Sequence, residues 1–462
     1  MRMVRGKLCV WLVVLGLAGI GLSAFAGYET KVGDATVKIG FDVRLRLEGW
    51  DRNTVSPDWG LTPGANQGPA VEYLRVRERL WTTVDFTPDL ILNARLVNRW
   101  QHFSSHFNEA NNVGGGGTWR APDELVFDLL NLDIKNIADS GISLKLGRQE
   151  LMLGNGMVLL EGTPYDQGRT TYFDGAVATY TDDCNTIKVF ALYNEYKDPI
   201  AINLDEKLER RLRRADTLVL GFDGTYNYSA SLNGEAYYIF VDFDDDADTA
   251  ERNHPVDENA ELHIVGARLF GSPHEQIDYS FELAQQWGEC AGSADFTGMM
   301  GDARVTLKAP KGTALSPSLM LEYTMFTGDD PASGDEVEGW HSAFSEYPIW
   351  REELMPILTN GNWTNLNQAR AALNLVLHDS ESVAVKLQGV YAYLFMDEGQ
   401  VGMPPGGGGG DEMGHLYSGF LDVVFKKANL SFALEYAHLE PGNYWLDGAP
   451  GEWGRAQMIW TY

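Results

Sequence analysis

Along most of this chain apolar and polar residues alternate one by one. Phe41, Val43, Leu45 and Leu47 interleave with Asp42, Arg44, Arg46 and Glu48. Tyr279, Phe281, Leu283 and Trp287 do so with Ser280, Glu282 and Gln286, and Leu430, Phe432, Leu434 and Tyr436 with Ser431, Ala433 and Glu435. A period of two turns one face of a strand to an apolar medium and the other to water. The pattern predicts eighteen strands, near 38–48, 71–86, 89–102, 124–135, 141–148, 172–181, 185–195, 215–226, 231–242, 260–270, 278–288, 301–308, 317–326, 366–378, 382–394, 414–426, 429–437 and 454–462. No stretch shows an apolar stripe at helical spacing, and the charged run Glu206–Arg211 reads at most as a short loop helix.

Connections alternate between short and long. Thr87-Pro88, Asp182-Asp183-Cys184 and Lys427-Ala428 are tight, whereas Gly49 to Ala70, Phe103 to Asp123, Gln149 to Thr171, Tyr196 to Arg214, Phe243 to Asn259, Thr327 to Asn365, Phe395 to Met413 and His438 to Trp453 are long. Loops sorted by parity, with an even strand count, mark a transmembrane antiparallel up-and-down β-barrel of a bacterial outer membrane. The short turns then lie on the periplasmic rim with both termini, and the long loops face outward. The last strand, Arg455 to Tyr462, places Ala456, Met458, Trp460 and Tyr462 on one face, an aromatic ending typical of such barrels.

Residues 1–26 read as a secretory signal peptide. Arg2, Arg5 and Lys7 precede the apolar run Leu8 to Leu22, and Ala24-Phe25-Ala26 is a small-x-small cleavage site. Its removal takes the formal charge from −29 to −32 and leaves 27–462 as one barrel domain without a linker. Nothing beyond it approaches the ~18 apolar residues of a membrane helix. Strong acidity argues against nucleic-acid binding, which needs a basic face. The acidic run Asp242 to Asp248 lacks the glycine and glutamate of an EF-hand loop and reads as a solvated loop. Cys184 and Cys290 fall on opposite rims and are not expected to pair.

An eighteen-stranded barrel of this kind encloses an aqueous channel, so the polar face of each strand is expected to line a pore. That face is rich in guanidinium groups: Arg44 and Arg46 on the first strand, Arg75, Arg77 and Arg79 on the second, Arg95 and Arg99 on the third. Arg268, Arg304, Lys308, Arg370 and Lys386 add charge from later strands. With strands ~4.8 Å apart, the first seven arginines form one basic wall. Asp42, Glu48, Glu282, Glu322 and Glu435 can offset part of it. A guanidinium wall suits carboxylates, because each group offers a planar fork and stays charged. The same arginines could instead merely balance inner acids and hold the wall in register. Glu78 breaks the pattern, since its parity points to lipid. No metal set is read: His102 and His106 lack an acidic helix partner. No nucleophile elbow or Ser/His/acid spacing occurs, so neither catalytic residues nor a cofactor is expected.

Leu146-Gly147-Arg148-Gln149-Glu150, then Gly154-Asn155-Gly156, then Arg169-Thr170-Thr171-Tyr172-Phe173-Asp174-Gly175 resembles the signature of the alginate-export family of outer-membrane barrels. The resemblance implies a channel for a polyanionic polysaccharide such as a polyuronate, or for another carboxylate. It also implies that Arg148 and Arg169 project toward the constriction, with Asp174 as a compensating acid. The expected surroundings are outer-membrane lipid, a monomeric state, an anionic solute and periplasmic export partners. The alternatives are a general, weakly selective porin and a non-conducting structural barrel. The aromatic-rich loop 327–365 is expected to fold over or into the mouth.

Overall fold

The computed structural model describes residues 27–51, 71–103, 118–120, 124–161, 172–195, 198–204, 216–243, 260–289, 295–330, 332–333, 336–341, 344–345, 351, 354–355, 363–398, 410–445 and 450–462. Cys290, His106, Arg169 and the proposed signal peptide lie outside them.

Eighteen long antiparallel strands form a closed barrel. They are β1 (Ala35–Asp51), β2 (Val71–Thr87), β3 (Leu90–Phe103), β4 (Glu124–Ile134), β5 (Ile142–Gln149), β6 (Phe173–Thr181), β7 (Asn185–Asn194), β8 (Thr217–Ser229) and β9 (Leu232–Phe243). They continue as β10 (Ala260–His274), β11 (Ile277–Glu289), β12 (Asp295–Lys308), β13 (Ser318–Phe326), β14 (Leu366–Asp379), β15 (Val383–Phe395), β16 (Glu412–Phe425), β17 (Leu430–Pro441) and β18 (Gly451–Thr461). Each pairs with its chain neighbours, and β18 closes on β1 in a register running from Asp42↔Thr461 to Asp51↔Glu452. Closure leaves no unpaired edge, the condition for a sheet to stand in hydrocarbon.

Parity then sorts the side chains. Leu80, Leu269 and Leu283 are about half exposed, at 50%, 54% and 56%. In water that much leucine surface would be costly; on an outer-membrane barrel it is the lipid face. Their strand neighbours Arg79, Arg268 and Glu282 point the other way and are largely buried. Glu78 is exposed on the lipid-facing side, where it accepts a bond from Asn98 at 3.4 Å, one rung below Trp100.

The short turns form the periplasmic rim. One spans Asp182–Cys184, where Asp182 accepts from the backbone N–H groups of Cys184 and Asn185 at 2.9 and 2.7 Å. Together with the Asn185 amide these donors hold its carboxyl down at about 2, so the turn keeps its charge at any periplasmic pH. Cys184 is exposed there.

Two features depart from the sequence reading. First, the inner face is not polar throughout. In its outer half Leu192, Val219, Ile239, Val241, Leu262, Ile264, Phe296, Met300, Phe326, Leu394, Leu416 and Leu439 are buried inside the barrel. β12 accordingly starts at Asp295 rather than near 301: here the inner positions Phe296 and Met300 are apolar while the outer ones include Asp295 and Thr297, the reverse of the polar-inside pattern. Second, 149–171 is not simply an outward loop. After β5 the chain turns into the barrel, where Leu151–Leu153 pairs with Leu159–Glu161, and that strand pairs in parallel with Phe344–Ser345. Leu151, Leu153, Met157, Val158 and Leu159 pack with Trp340, Leu354, Met355, Trp363, Tyr444, Trp445 and Trp453 against the apolar wall. The space vacated beside β4 is taken by Ile202–Asn203, which pairs with Leu125 and Glu124.

The departure point is built from paired glycines. Gly147 on β5 faces Gly175 on β6, with φ of +107° and +154°. A Cβ at Gly147 would lie 2.4 Å from the Leu130 carbonyl oxygen, and one at Gly175 2.2 Å from that of Ala191. Gly147→Ala is expected to destabilise the barrel by about 1–3 kcal/mol, read as a lower urea midpoint in lipid vesicles. An unchanged midpoint would show that this backbone tolerates a side chain.

Candidate functional site

Below the apolar layer the inner wall carries a belt of charge. On one arc, strands β18, β1, β2 and β3, arginines outnumber carboxylates. Glu48 is a hub: Arg46 lies at 3.1 Å, Arg455 at 3.1 Å, and the Tyr73 hydroxyl donates at 2.6 Å. Arg75 donates to the Tyr73 oxygen at 2.8 Å, and Arg46 to Gln457 at 2.9 Å. Asp42 takes Arg77 at 3.2 Å and Arg79 at 2.6 Å. Arg95 reaches Asp128 at 2.7 Å and Glu150 at 2.8 Å. Arg44 is buried beside Arg46, Arg75, Arg77 and Arg455. Arg99 stands opposite Arg77 in the register. Charges this crowded persist only because shared carboxylates lower the repulsion.

The facing arc, β8 to β13, is richer in acid. Asp223, Glu235, Glu282, Asp302 and Glu322 are all buried on it. Lys188 pairs with Asp223 at 2.8 Å and Arg268 with Glu235. Arg304 bridges Asp302 and Glu322 at 2.8 and 2.7 Å, and Arg370 joins Glu322 at 2.8 Å. The lumen is therefore polarised across its width.

The inserted segment crosses to this acidic arc. The N–H groups of Gly154 and Asn155 donate to Glu235 and Glu282 at 2.9 and 2.7 Å. The Asn155 amide donates to Asp302 at 2.8 Å and accepts from Arg268 at 2.9 Å. Gly154 has φ +56°, and a Cβ there would run into the Glu282 carboxylate. From loop 327–365, Arg351 reaches the inner wall, donating to Asp422 at 2.8 Å and Glu435 at 3.0 Å; its own carbonyl accepts from Arg455 at 3.3 Å.

Arg44, Arg46, Arg75, Arg77, Arg79, Arg95 and Arg99 thus share one arc, Arg268 and Arg304 sit on the other, and Arg370 lies beside it on β14. Lys308 lies near the periplasmic rim with Asp278 at 2.7 Å. Arg148 and Asp174 meet as a pair, with Nε–Oδ1 at 2.9 Å and a second bond at 2.8 Å. Asp198 is the second acid on Arg148, at 3.0 Å, and the guanidinium lies 3.5 Å from the Tyr172 ring centroid. Arg148 is 2% exposed, so it serves as a buried clamp where the chain leaves the wall. Glu282, Glu322 and Glu435 are buried on the inner wall, paired with Tyr237, Arg370 and Arg455 respectively. Parity alone could also have identified Asp223, Glu235, Asp302 and Arg455, but Arg351 and Asn155 lie on segments without periodicity. Among the described residues no group of three or more His, Cys, Asp or Glu side chains is arranged to hold a metal.

A family model described as alginate export matches residues 39–456. No curated protein matches the chain in sequence. Similar solved structures include Pseudomonas aeruginosa OccK5 (OpdH), at 13% identity and TM-score 0.55, covering 92% of this chain and 97% of that one. P. aeruginosa OccK7 (OpdD) is similar at 12% identity and TM-score 0.56, covering 93% and 99%. Acinetobacter baumannii OccAB1 is similar at 13% identity and TM-score 0.53, covering 93% and 97%. At such identities the likeness shows the shared barrel fold.

Arg351, Trp340 and Trp363 anchor their loop inside the wall. Deleting residues 335–360 is expected to raise single-channel conductance in planar bilayers. Unchanged conductance would show that this segment does not narrow the path.

Proposed function

The chain belongs to the alginate-export family and forms an outer-membrane channel; from that premise we propose that it passes anionic solutes passively. The solutes would be polyuronate-like polysaccharide or other carboxylates. The observation that carries this reading is the arc of Arg44, Arg46, Arg75, Arg77, Arg79, Arg95, Arg99 and Arg455, which among the described residues shares its four strands with Asp42 and Glu48 as the inward carboxylates of the belt. A carboxylate entering a narrow, low-dielectric passage loses hydration. Guanidinium groups replace that hydration with charge-assisted bonds and lower the cost of passage. The polarised cross-section adds a field that would orient a solute with its carboxylates toward β1–β3. No covalent step is invoked, and a monomer contains the whole path. Periplasmic export partners would deliver the chain at the short-turn rim.

One observation favours a weaker selectivity. Asp42, Glu48, Asp128 and Glu150 already accept from several of these arginines, which reduces the net field. The two readings separate in reversal potential under a salt gradient. The parent channel is expected to prefer anions, and combining Arg75→Ala, Arg77→Ala and Arg95→Ala should move its reversal potential toward that of a non-selective pore. Cation preference in the parent would defeat the anion reading.

A further inference from the structure

Trp81 points inward from the periplasmic half of β2, on the same face as Arg75, Arg77 and Arg79. Its register partner is Gly40 on β1. The indole lies directly over that glycine: a Cβ at Gly40 would come 2.5 Å from Cε2 and Cζ2 of Trp81. Gly40 is thus a notch that seats the ring against the wall. Trp81 borders a cavity of about 520 Å³, shared with Lys145, Asn131 and two arginine–carboxylate pairs, Arg79 with Asp42 and Arg95 with Glu150. That volume lies within the ~300–1,000 Å³ typical of small-molecule sites. A second cavity of about 520 Å³ adjoins on the rim side, and Trp81 and Thr461 border both. The ring therefore stands between two cavities.

Two of these groups are unused within the protein. Among the described residues Trp81 makes no ring or cation contact, and Lys145 has no carboxylate partner. Most charged groups of the belt do have partners. The amides between them are held in order: Thr83 donates to Asn93 at 3.2 Å, Asn93 to Asn131 at 3.2 Å, and Asn131 to the Arg148 carbonyl at 2.8 Å. A flat apolar ring, a free ammonium and a fixed row of amides answer three features of one ligand class. A pyranose ring has an apolar C–H face, a uronate adds a carboxylate, and the hydroxyls seek amides.

Resting on the anionic-saccharide reading above, we infer that this cavity is a uronate subsite, with Trp81 as the stacking platform and Lys145 as the carboxylate partner. It holds one sugar of a passing chain between the arginine arc and the periplasmic rim.

The test uses the full-length barrel in planar bilayers, with a short oligouronate added on the rim side and the lifetime of single blocking events recorded. Trp81→Ala should shorten that lifetime about tenfold. Trp81→Phe, which keeps a ring, should recover most of it. Gly40→Ala, which displaces the indole without deleting it, should shorten it as well. Lys145→Gln should shorten blocks by the oligouronate but not by a neutral oligosaccharide of equal length. Each variant is first checked for the folded band on an unheated gel. If the parent is blocked and Trp81→Ala and Gly40→Ala leave the lifetime unchanged, the subsite falls while the anionic-saccharide reading stands. If the parent is not blocked by oligouronates at all, both fall.

Discussion

Every backbone N–H and C=O in a hydrocarbon layer needs a partner, and here each barrel strand finds it in the next. The β1–β18 register is what makes that possible for the first and last strands at once. Closure has a second consequence. It creates an interior that hydrocarbon cannot fill, so whatever faces inward must be hydrated, paired or packed by other parts of the chain. All three solutions occur at different depths. Apolar segments fold in at the outer half, ion pairs belt the middle, and cavities open toward the periplasmic rim.

The charged belt shows how this interior stays stable. An isolated buried guanidinium would be very costly, and a row of them more so. Glu48 and Asp42 each join two arginines, and Tyr73 links Glu48 to Arg75. The inserted segment extends the same logic across the lumen. Its glycine-bearing turn presents backbone N–H groups to Glu235 and Glu282, so two buried carboxylates are satisfied by the segment that narrows the space. Contents and wall are therefore one hydrogen-bonded system.

The strands were legible because lipid outside and charge inside impose a period of two, as on Phe41 to Glu48. Asp295–Met300 lacks that signal, because Phe296 and Met300 face inward while Asp295 and Thr297 take the outer parity. The segment Leu151–Leu159 lies in a stretch without a sustained period of two. Its apolar content, Leu151, Leu153, Met157, Val158 and Leu159, was the available sign that it is buried. Arg351 offered no comparable sign, because a single arginine in an irregular loop has no parity. Trp81 shares the parity of Arg75, Arg77 and Arg79, but its meaning depends on the glycine opposite, and only the register pairs the two.

The family signature itself gains a physical reading. Gly147 faces Gly175, Arg148 faces Asp174 and Gln149 faces Phe173, so its two halves are successive rungs of one strand pair. Their task is local. The glycines admit a backbone conformation that side chains resist, and the Gln149 amide donates to the Gly147 and Gly175 carbonyls at 3.1 and 3.2 Å. Arg148 ties Asp174 to Asp198 at the point where the chain turns inward. Such a device determines that a segment enters the barrel, without determining what passes it. The signature can therefore be common to barrels that carry different solutes, while discrimination rests on side chains the signature does not contain. On the reading proposed above, those would be the arginine arc and Trp81 with Lys145.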